Sequence, residues 1–420
     1  MADILLQKFF EKERWEQALE VGVDKHIDKG ELRKLTSPEV RLAMYNAIVN
    51  DNYEIAPPHQ AQIPKDNGDV RIVYVNENVD RIFLSIANNL FFEMFPEFVH
   101  HNCKSYQSGI GCGKIVQDVS KWVIKTKRRE VGFKADLTKY FDSVPIRCID
   151  GIFDRMEQKV GKSKIIDIAR KYYHTDLCFD VNGDLIEHYQ SLKQGCAVPS
   201  FLADAVLYKV DFILSSIPGC YVRYSDDLLV ISDNWEQSYF TLQAMLRDLE
   251  LTLNPKKVET IYEDRWFKFL GFNIKGNQIT LSKSRVKSFQ KEIETRTIKQ
   301  RNISMKKALN QVQSYLYKGD GTYSWATSVL PIINVQKDID TMNTYIMDAI
   351  RACATKKKKI GGLGSVNDKE DYTILRGTGK NVSANRNKTD KEIEGYLSLR
   401  CMQNALLTRR AVYETLVRSM

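Results

Sequence analysis

The chain has 420 residues, enough for two or three packed units, and its 43% hydrophobic content is that of an ordinary globular protein. No run approaches the roughly eighteen apolar residues of a membrane span, and MADILLQKFFEKERWEQ mixes acids and bases where a secretion signal is apolar, so a cytoplasmic location is expected. The formal charge is +9, and residues 351–420 hold 15 Lys and Arg against 7 Asp and Glu; nearly all the excess lies there and points to a polyanionic partner, the alternative being a solvated tail.

The eight cysteines contain no CxxC pair and the six histidines do not cluster with them, which predicts reduced thiols rather than a zinc site. His100-His101 beside Cys103 lacks a second ligand pair.

Residues 1–56 read as an N-terminal helical segment closed by Pro57-Pro58. Residues 57–281 mix strand and helix signals. Within them AQIPKDNGDVRIVYV predicts a β-hairpin turning at Asp66-Asn67-Gly68-Asp69, followed by a helix to about Phe95. VGFKADL reads as a strand, RCIDGIFDRME and KIIDIARKYYH as helices, YVRYSDDLLVIS as two strands around an acidic turn, WEQSYFTLQAMLRDLEL as a helix, and WFKFLGFNIKGNQITL as strand again. This is an α+β pattern with a largely antiparallel sheet. Residues 282–352 are helical by the spacing of Val286, Phe289, Ile293 and of Leu309, Val312, Leu316, with Asn334 placed to cap a third helix. Residues 353–420 form a basic C-terminal extension: a polar loop over 354–390, then a final helical segment.

Two separated acidic elements carry the chemistry. Asp136 ends an apolar strand in GFKADLTKYFDSV, and Asp226-Asp227 lie in a tight turn between apolar strands. Adjacent carboxylates repel, and a cation or a proton must relieve them. A third carboxylate on a neighbouring strand completes a donor set for two Mg²⁺ ions about 4 Å apart, one activating a 3′-hydroxyl and one holding a triphosphate. A lone Asp-Asp pair would be read as a plain turn. Gly109-Ile110-Gly111-Cys112-Gly113-Lys114 does not fit the phosphate-loop pattern and reads as a flexible turn.

The order of further boxes decides against the plain turn. Tyr224-Ser225-Asp226-Asp227 resembles the YxDD box of reverse transcriptases, and FKADLTKYFDSV their first acidic motif. LKQGCAVPSFLADAVL resembles their QGxxxSP motif, LNPKKVETI their lysine motif and FKFLGFNI their primer-grip hairpin. IPKDNGDVRIVYV and CKSYQSGIGCGK resemble the fingers hairpin and the SxGFRxG segment. The resemblance covers roughly residues 60–280. It implies a right-hand polymerase, with fingers and an antiparallel palm sheet followed by an α-helical thumb and a C-terminal extension.

It also implies roles. Asp136, Asp226 and Asp227 would be catalytic, with the Leu137 carbonyl joining them around two Mg²⁺. Phe141 would lie beneath the incoming sugar and exclude a 2′-hydroxyl, making deoxynucleotides the substrates. Gln194 and Gly195 would let the backbone approach the nascent base pair. Lys65 and Arg71 would clamp the β- and γ-phosphates, the alternative being two solvated hairpin charges. Lys257 would protonate the leaving pyrophosphate, with Lys256 as its rival. Phe269, Leu270 and Gly271 would grip the primer. The partners would be an RNA template, a DNA product strand and dNTPs, with no membrane.

The departures narrow the branch. Pro199-Ser200 inverts the usual Ser-Pro order, no paired His and Cys ligand set follows residue 300, and Asn46-Ala47 lacks the histidine of the retron signature. INVQKDIDTMNTYIMDAIRA, GGLG and GYLSLR resemble the helical extension of bacterial defence-associated ("unknown group") reverse transcriptases. That implies antiphage defence with a companion non-coding RNA as template, and the basic 351–420 region as an RNA-binding surface. Tyr372 or Tyr396 would then either stack on bases or simply pack. The alternatives are a reverse transcriptase of retron, diversity-generating or other mobile type, or a palm fold serving as an RNA-binding scaffold.

Overall fold

The computed structural model describes residues 2–21, 27–64, 70–106, 111–189, 191–195, 199–321, 323–355 and 393–420. The chain divides into two compact units. The first comprises Met1–Gln107, Phe133–Val230 and Asn234–Glu259; the second comprises Ser108–Gly132, Ile231–Asp233 and Thr260–Met420.

The first unit opens with four helices, α1 (Ile4–Phe9), α2 (Lys12–Val21), α3 (Lys29–Leu35) and α4 (Pro38–Val49). Side-chain oxygens start three of them. Asp3 accepts from the Leu6 N–H, Asp28 from Gly30 and Glu31, and Ser37 from Val40, each satisfying a first-turn donor that has no partner within the helix. Strands β1 (His59–Pro64) and β2 (Val70–Val75) pair antiparallel as the expected hairpin. Its turn, 65–69, lies outside the described residues and takes Lys65 with it. Helix α5 (Asn78–Met94) buries Ile82, Phe83, Ile86, Leu90 and Phe91, the 3.6-residue stripe of a core-facing helix.

The chain then gives α6 (Cys112–Lys125) to the second unit and continues as β3 (Glu130–Asp136), where Val131, Phe133 and Ala135 are buried. A short turn, α7 (Tyr140–Ser143), leads to α8 (Ile146–Val160) and α9 (Lys164–His174). Strands β4 (Leu177–Phe179) and β5 (Leu185–Glu187) extend the hairpin into a sheet of order β2-β1-β4-β5; the β1–β4 contact is parallel. Helices α10 (Pro199–Val206) and α11 (Tyr208–Ser216) precede the hairpin of β6 (Cys220–Tyr224) and β7 (Asp227–Ile231). Then come α12 (Trp235–Asp248) and β8 (Glu259–Tyr262), and the strands form a second four-stranded sheet of order β6-β7-β3-β8. Tyr221 to Arg223 and Leu228 to Ile231 are buried without alternation, the pattern of strands covered on both faces.

The inverted Pro199-Ser200 pair lies at the start of α10. The Phe201 N–H there donates to the side-chain oxygen of Asn88 on α5, 3.1 Å away, so a neighbouring helix supplies the cap. Phe201 packs among the rings of Phe91, Phe92 and Phe98.

In the second unit β9 (Phe267–Phe269), β10 (Phe272–Lys275) and β11 (Gln278–Leu281) form an antiparallel sheet. Helices α13 (Lys283–Arg296), α14 (Met305–Gln313), α15 (Trp325–Val329), α16 (Gln336–Thr355), α17 (Leu399–Thr408) and α18 (Arg410–Arg418) follow. Three expectations change. Leu316 is buried as its spacing predicts, but on a π-helical turn over Ser314–Lys318. Asn334 does not cap α16. Its Oδ1 accepts from the Ile279 N–H at 2.8 Å and its Nδ2 donates to the Asn277 carbonyl at 2.6 Å, so it pairs sideways with β11. Gly113 and Lys114 belong to the first turn of α6 rather than to a flexible loop, and a Cβ at Gly113 would sit 1.9 Å from Ile332.

Residues 356–392, which hold most of the expected 354–390 loop together with Lys356–Lys359 and Tyr372, lie outside the described residues. Tyr396 packs; its hydroxyl donates to Asn343 at 2.8 Å.

Candidate active site

The β6–β7 hairpin turns at Ser225 and Asp226. Ser225 has a φ of 56°, a left-handed conformation that lets the chain reverse over two residues. The Leu137 N–H donates to the Asp226 carbonyl at 3.3 Å. On the other side of β3, the Asn254 N–H donates to the Asp136 carbonyl and the Thr138 N–H to the Thr252 carbonyl, both at 2.8 Å. The end of β3 is thus clamped between the acidic turn and the 252–254 segment. Asp136 and Asp226 come together across 90 residues of sequence because their strands' backbones pair.

The carboxyls feel one another. Loss of water, then the charge of Asp136, raises Asp226 above the ordinary carboxylate value, with Lys257 and Arg71 opposing. Asp227 is open to solvent on one side, yet desolvation on the other, followed by Asp226 and Asp136, raises it to about 6. Lys257 reaches Asp136 directly, its Nζ 2.6 Å from Oδ2, while the Asp136 side chain is 13% exposed. Lys134 pairs with Glu259 at 2.8 Å.

As a cation site, this donor set has the right chemistry: hard carboxylate oxygens whose repulsion a divalent ion would relieve. The Lys257 ammonium now neutralises Asp136. Among the described residues, no group of three or more His, Cys, Asp or Glu side chains has an arrangement that would hold a metal ion.

The other expected residues fall in two places. Arg71, on β2, lies close enough to lower Asp226. Phe141 is half-buried on α7, and its carbonyl accepts the Leu192 N–H at 3.0 Å, which ties α7 to the loop carrying Gln194 and Gly195. That loop meets the β1–β2 hairpin: the Tyr74 N–H donates to the Gln194 carbonyl at 2.7 Å. Gly195 has a φ of 121°, and a Cβ there would lie 2.8 Å from the Tyr74 carbonyl. Phe269, Leu270 and Gly271 belong to the second unit, where Leu270 and Gly271, both left-handed, form the β9–β10 turn.

Two buried cations went unnoticed in the sequence. Lys193 is fully buried, donates to the Thr175 carbonyl at 2.5 Å and lies 4.7 Å from the Tyr172 ring centre, next to Gln194. Arg223 is fully buried between Asp204 and Asp211, themselves fully buried. The available signal was a charge at positions of β6, α10 and α11 where the surrounding pattern is apolar.

The β6-β7-β3-β8 sheet thus presents three carboxylates from two neighbouring strands, with Arg71 of the β1–β2 hairpin close by. The profile of the reverse transcriptase (RNA-dependent DNA polymerase) family matches residues 63–274, half of the chain. The chain belongs to that family, and its α+β fold is of the right-hand polymerase class. Among solved structures it is similar to apo telomerase from Candida tropicalis truncated from the C-terminal domain, at 14% identity and a TM-score of 0.40. That match covers 62% of this chain and 63% of the telomerase chain. No curated protein matches the chain in sequence.

Proposed function

We propose that this protein is an RNA-directed DNA polymerase that joins deoxynucleotides to a primer 3′-end. The observation that carries the reading is the meeting of Asp136, Asp226 and Asp227: loss of water and then Asp136 raise Asp226, and loss of water, then Asp226 and Asp136, raise Asp227. Carboxyls held in that state take up divalent cations. Asp136, Asp226, Asp227 and the Leu137 carbonyl would hold two Mg²⁺, which supply Lewis-acid activation of the attacking hydroxyl and charge neutralisation on the triphosphate. Arg71 and Lys65 would face the phosphates, and Phe141 would exclude the ribose 2′-hydroxyl. Gln194 and Gly195 would flank the nascent pair, Lys257 would donate a proton to pyrophosphate, and Phe269, Leu270 and Gly271 would hold the primer.

Service in antiphage defence on a companion non-coding RNA is supported by the resemblance of residues 333–352 and 395–400 to the defence-associated group, and a cytoplasmic location by the mixed-charge N-terminal residues. No helix among the described residues is long and apolar enough to cross a membrane.

The test is Asp226→Ala with Asp227→Ala. Mg²⁺-dependent dNTP incorporation should vanish while co-purifying RNA stays bound. Incorporation retained in the double variant would remove these acids from the mechanism.

A second reading is a palm used as an RNA-binding scaffold, in which the Lys257–Asp136 ion pair would offset one acidic charge facing nucleic acid. A biological activity indifferent to Asp136→Ala would support it.

A further inference from the structure

The core beneath the acidic turn holds a charge cluster that the polymerase reading does not use. A guanidinium has five N–H donors, and Arg223 makes five hydrogen bonds. Nε donates to Asp211 Oδ1 at 2.8 Å and Nη2 to Asp211 Oδ2 at 2.7 Å. Nη2 also donates to the Asp204 carbonyl at 3.1 Å, and Nη1 to Asp204 Oδ1 at 3.3 Å. The remaining bond runs from Nη1 to the Ser225 carbonyl at 3.0 Å. The carboxylates are held in turn: the Tyr221 hydroxyl donates to Asp211 at 2.6 Å and the Ser105 hydroxyl to Asp204 at 2.8 Å.

A buried ion cluster is weak evidence for stability, since apolar residues of similar volume often do as well. What sets this one apart is where its last bond ends. Ser225 is the left-handed residue immediately before Asp226 and Asp227. Among the described residues, two bonds to backbone carbonyls restrain the turn beyond its own hairpin: Leu137 on the Asp226 carbonyl and Arg223 on the Ser225 carbonyl. The first comes from the residue that follows β3, next to Asp136. The second comes from the core, through a group whose orientation Asp204 and Asp211 fix.

We propose that Arg223 is a positioning residue for the acidic turn. By holding the Ser225 carbonyl from below, it keeps Asp226 and Asp227 in place against their mutual repulsion, ready for a divalent cation. The cation's role in polymerisation rests on the proposed function; the positioning does not.

Arg223→Lys tests it. Lysine keeps the charge but has three donors on one nitrogen, so it cannot bind Asp211 in two-pronged fashion and also span Asp204 and Ser225. Mn²⁺ binding, followed by electron paramagnetic resonance, should weaken about 10-fold. The turnover number for dNTP incorporation should fall about 10- to 100-fold, the loss typical of a slightly misplaced reacting group, with KM for dNTP within threefold of wild type. A merely structural defect would lower the number of Mn²⁺ sites and leave their affinity alone. Folded Arg223→Lys protein with wild-type Mn²⁺ affinity and turnover overturns the proposal.

If that variant does not fold, Asp211→Asn takes its place, because it keeps shape while withdrawing the charge that orients the guanidinium. The same losses are expected, and wild-type values overturn the proposal. If wild-type protein binds Mn²⁺ but incorporates no nucleotide, the polymerase reading fails and the Mn²⁺ titrations alone decide the role of Arg223. Wild-type protein that binds no Mn²⁺ removes both.

Discussion

Lys257 donates from its Nζ to Oδ2 of Asp136 at 2.6 Å, joining residues 121 positions apart. The ammonium therefore sits on an oxygen that a divalent ion would need. If it competes with the ion, Lys257→Met should bind Mn²⁺ more tightly in the absence of nucleotide, by about fivefold, a change of about 1 kcal/mol. If the same lysine also protonates pyrophosphate, turnover should fall about 10- to 100-fold, the range of general-acid effects. Metal titration and single-turnover incorporation separate the two roles, and Lys256→Met should change neither.

The raised Asp227 makes metal-free stability depend on pH. Its carboxyl titrates near 6 in the folded chain, against an ordinary value of 3.8. The folded state therefore keeps a proton that the unfolded chain has released. This contribution to stability is complete below about pH 4 and is lost as pH rises through about 6. Thermal melts in chelator between pH 4.5 and 7.5 should show a declining component that Asp227→Asn abolishes. Adding Mg²⁺ at pH 7.5 should raise the melting temperature of wild type more than that of the variant.

Gly195→Ala should damage both fold and site. The new Cβ would press on the Tyr74 carbonyl, and φ at this position is 121°. The expected cost is about 1–3 kcal/mol from backbone strain, measurable by urea unfolding. Because the loop shares backbone contacts with β2 and α7, KM for dNTP should rise as well.

Phe141→Val should admit ribonucleotides. Tyr140 anchors α7 by donating its hydroxyl to the Ala203 carbonyl at 2.6 Å, so the turn should survive the substitution. The ratio of NTP to dNTP incorporation should rise at least about 10-fold, the scale on which a few methylenes' worth of packing discriminates. A wild type that already prefers NTPs would refute the proposed sugar selection.

Much of this architecture was legible in the sequence because local pattern determined it. An apolar run ending at Asp136 placed β3, an acidic turn between two apolar runs placed the β6–β7 hairpin, and the order of motifs identified the family. What only the tertiary structure decided depends on partners distant in the chain. The spacing made Asn334 a helix cap, but an unpaired edge of β11 competed for the same amide and won. Arg223 stood in an apolar strand with no local reason; its reason is a pair of aspartates on α10 and α11, satisfied only when those helices close over β6. The motif favoured Lys257 over its neighbour Lys256, but that the Lys257 ammonium pairs with Asp136 is visible only in the folded chain. Local periodicity records which face of an element is buried, whereas the pairing of a buried charge is a property of the folded core.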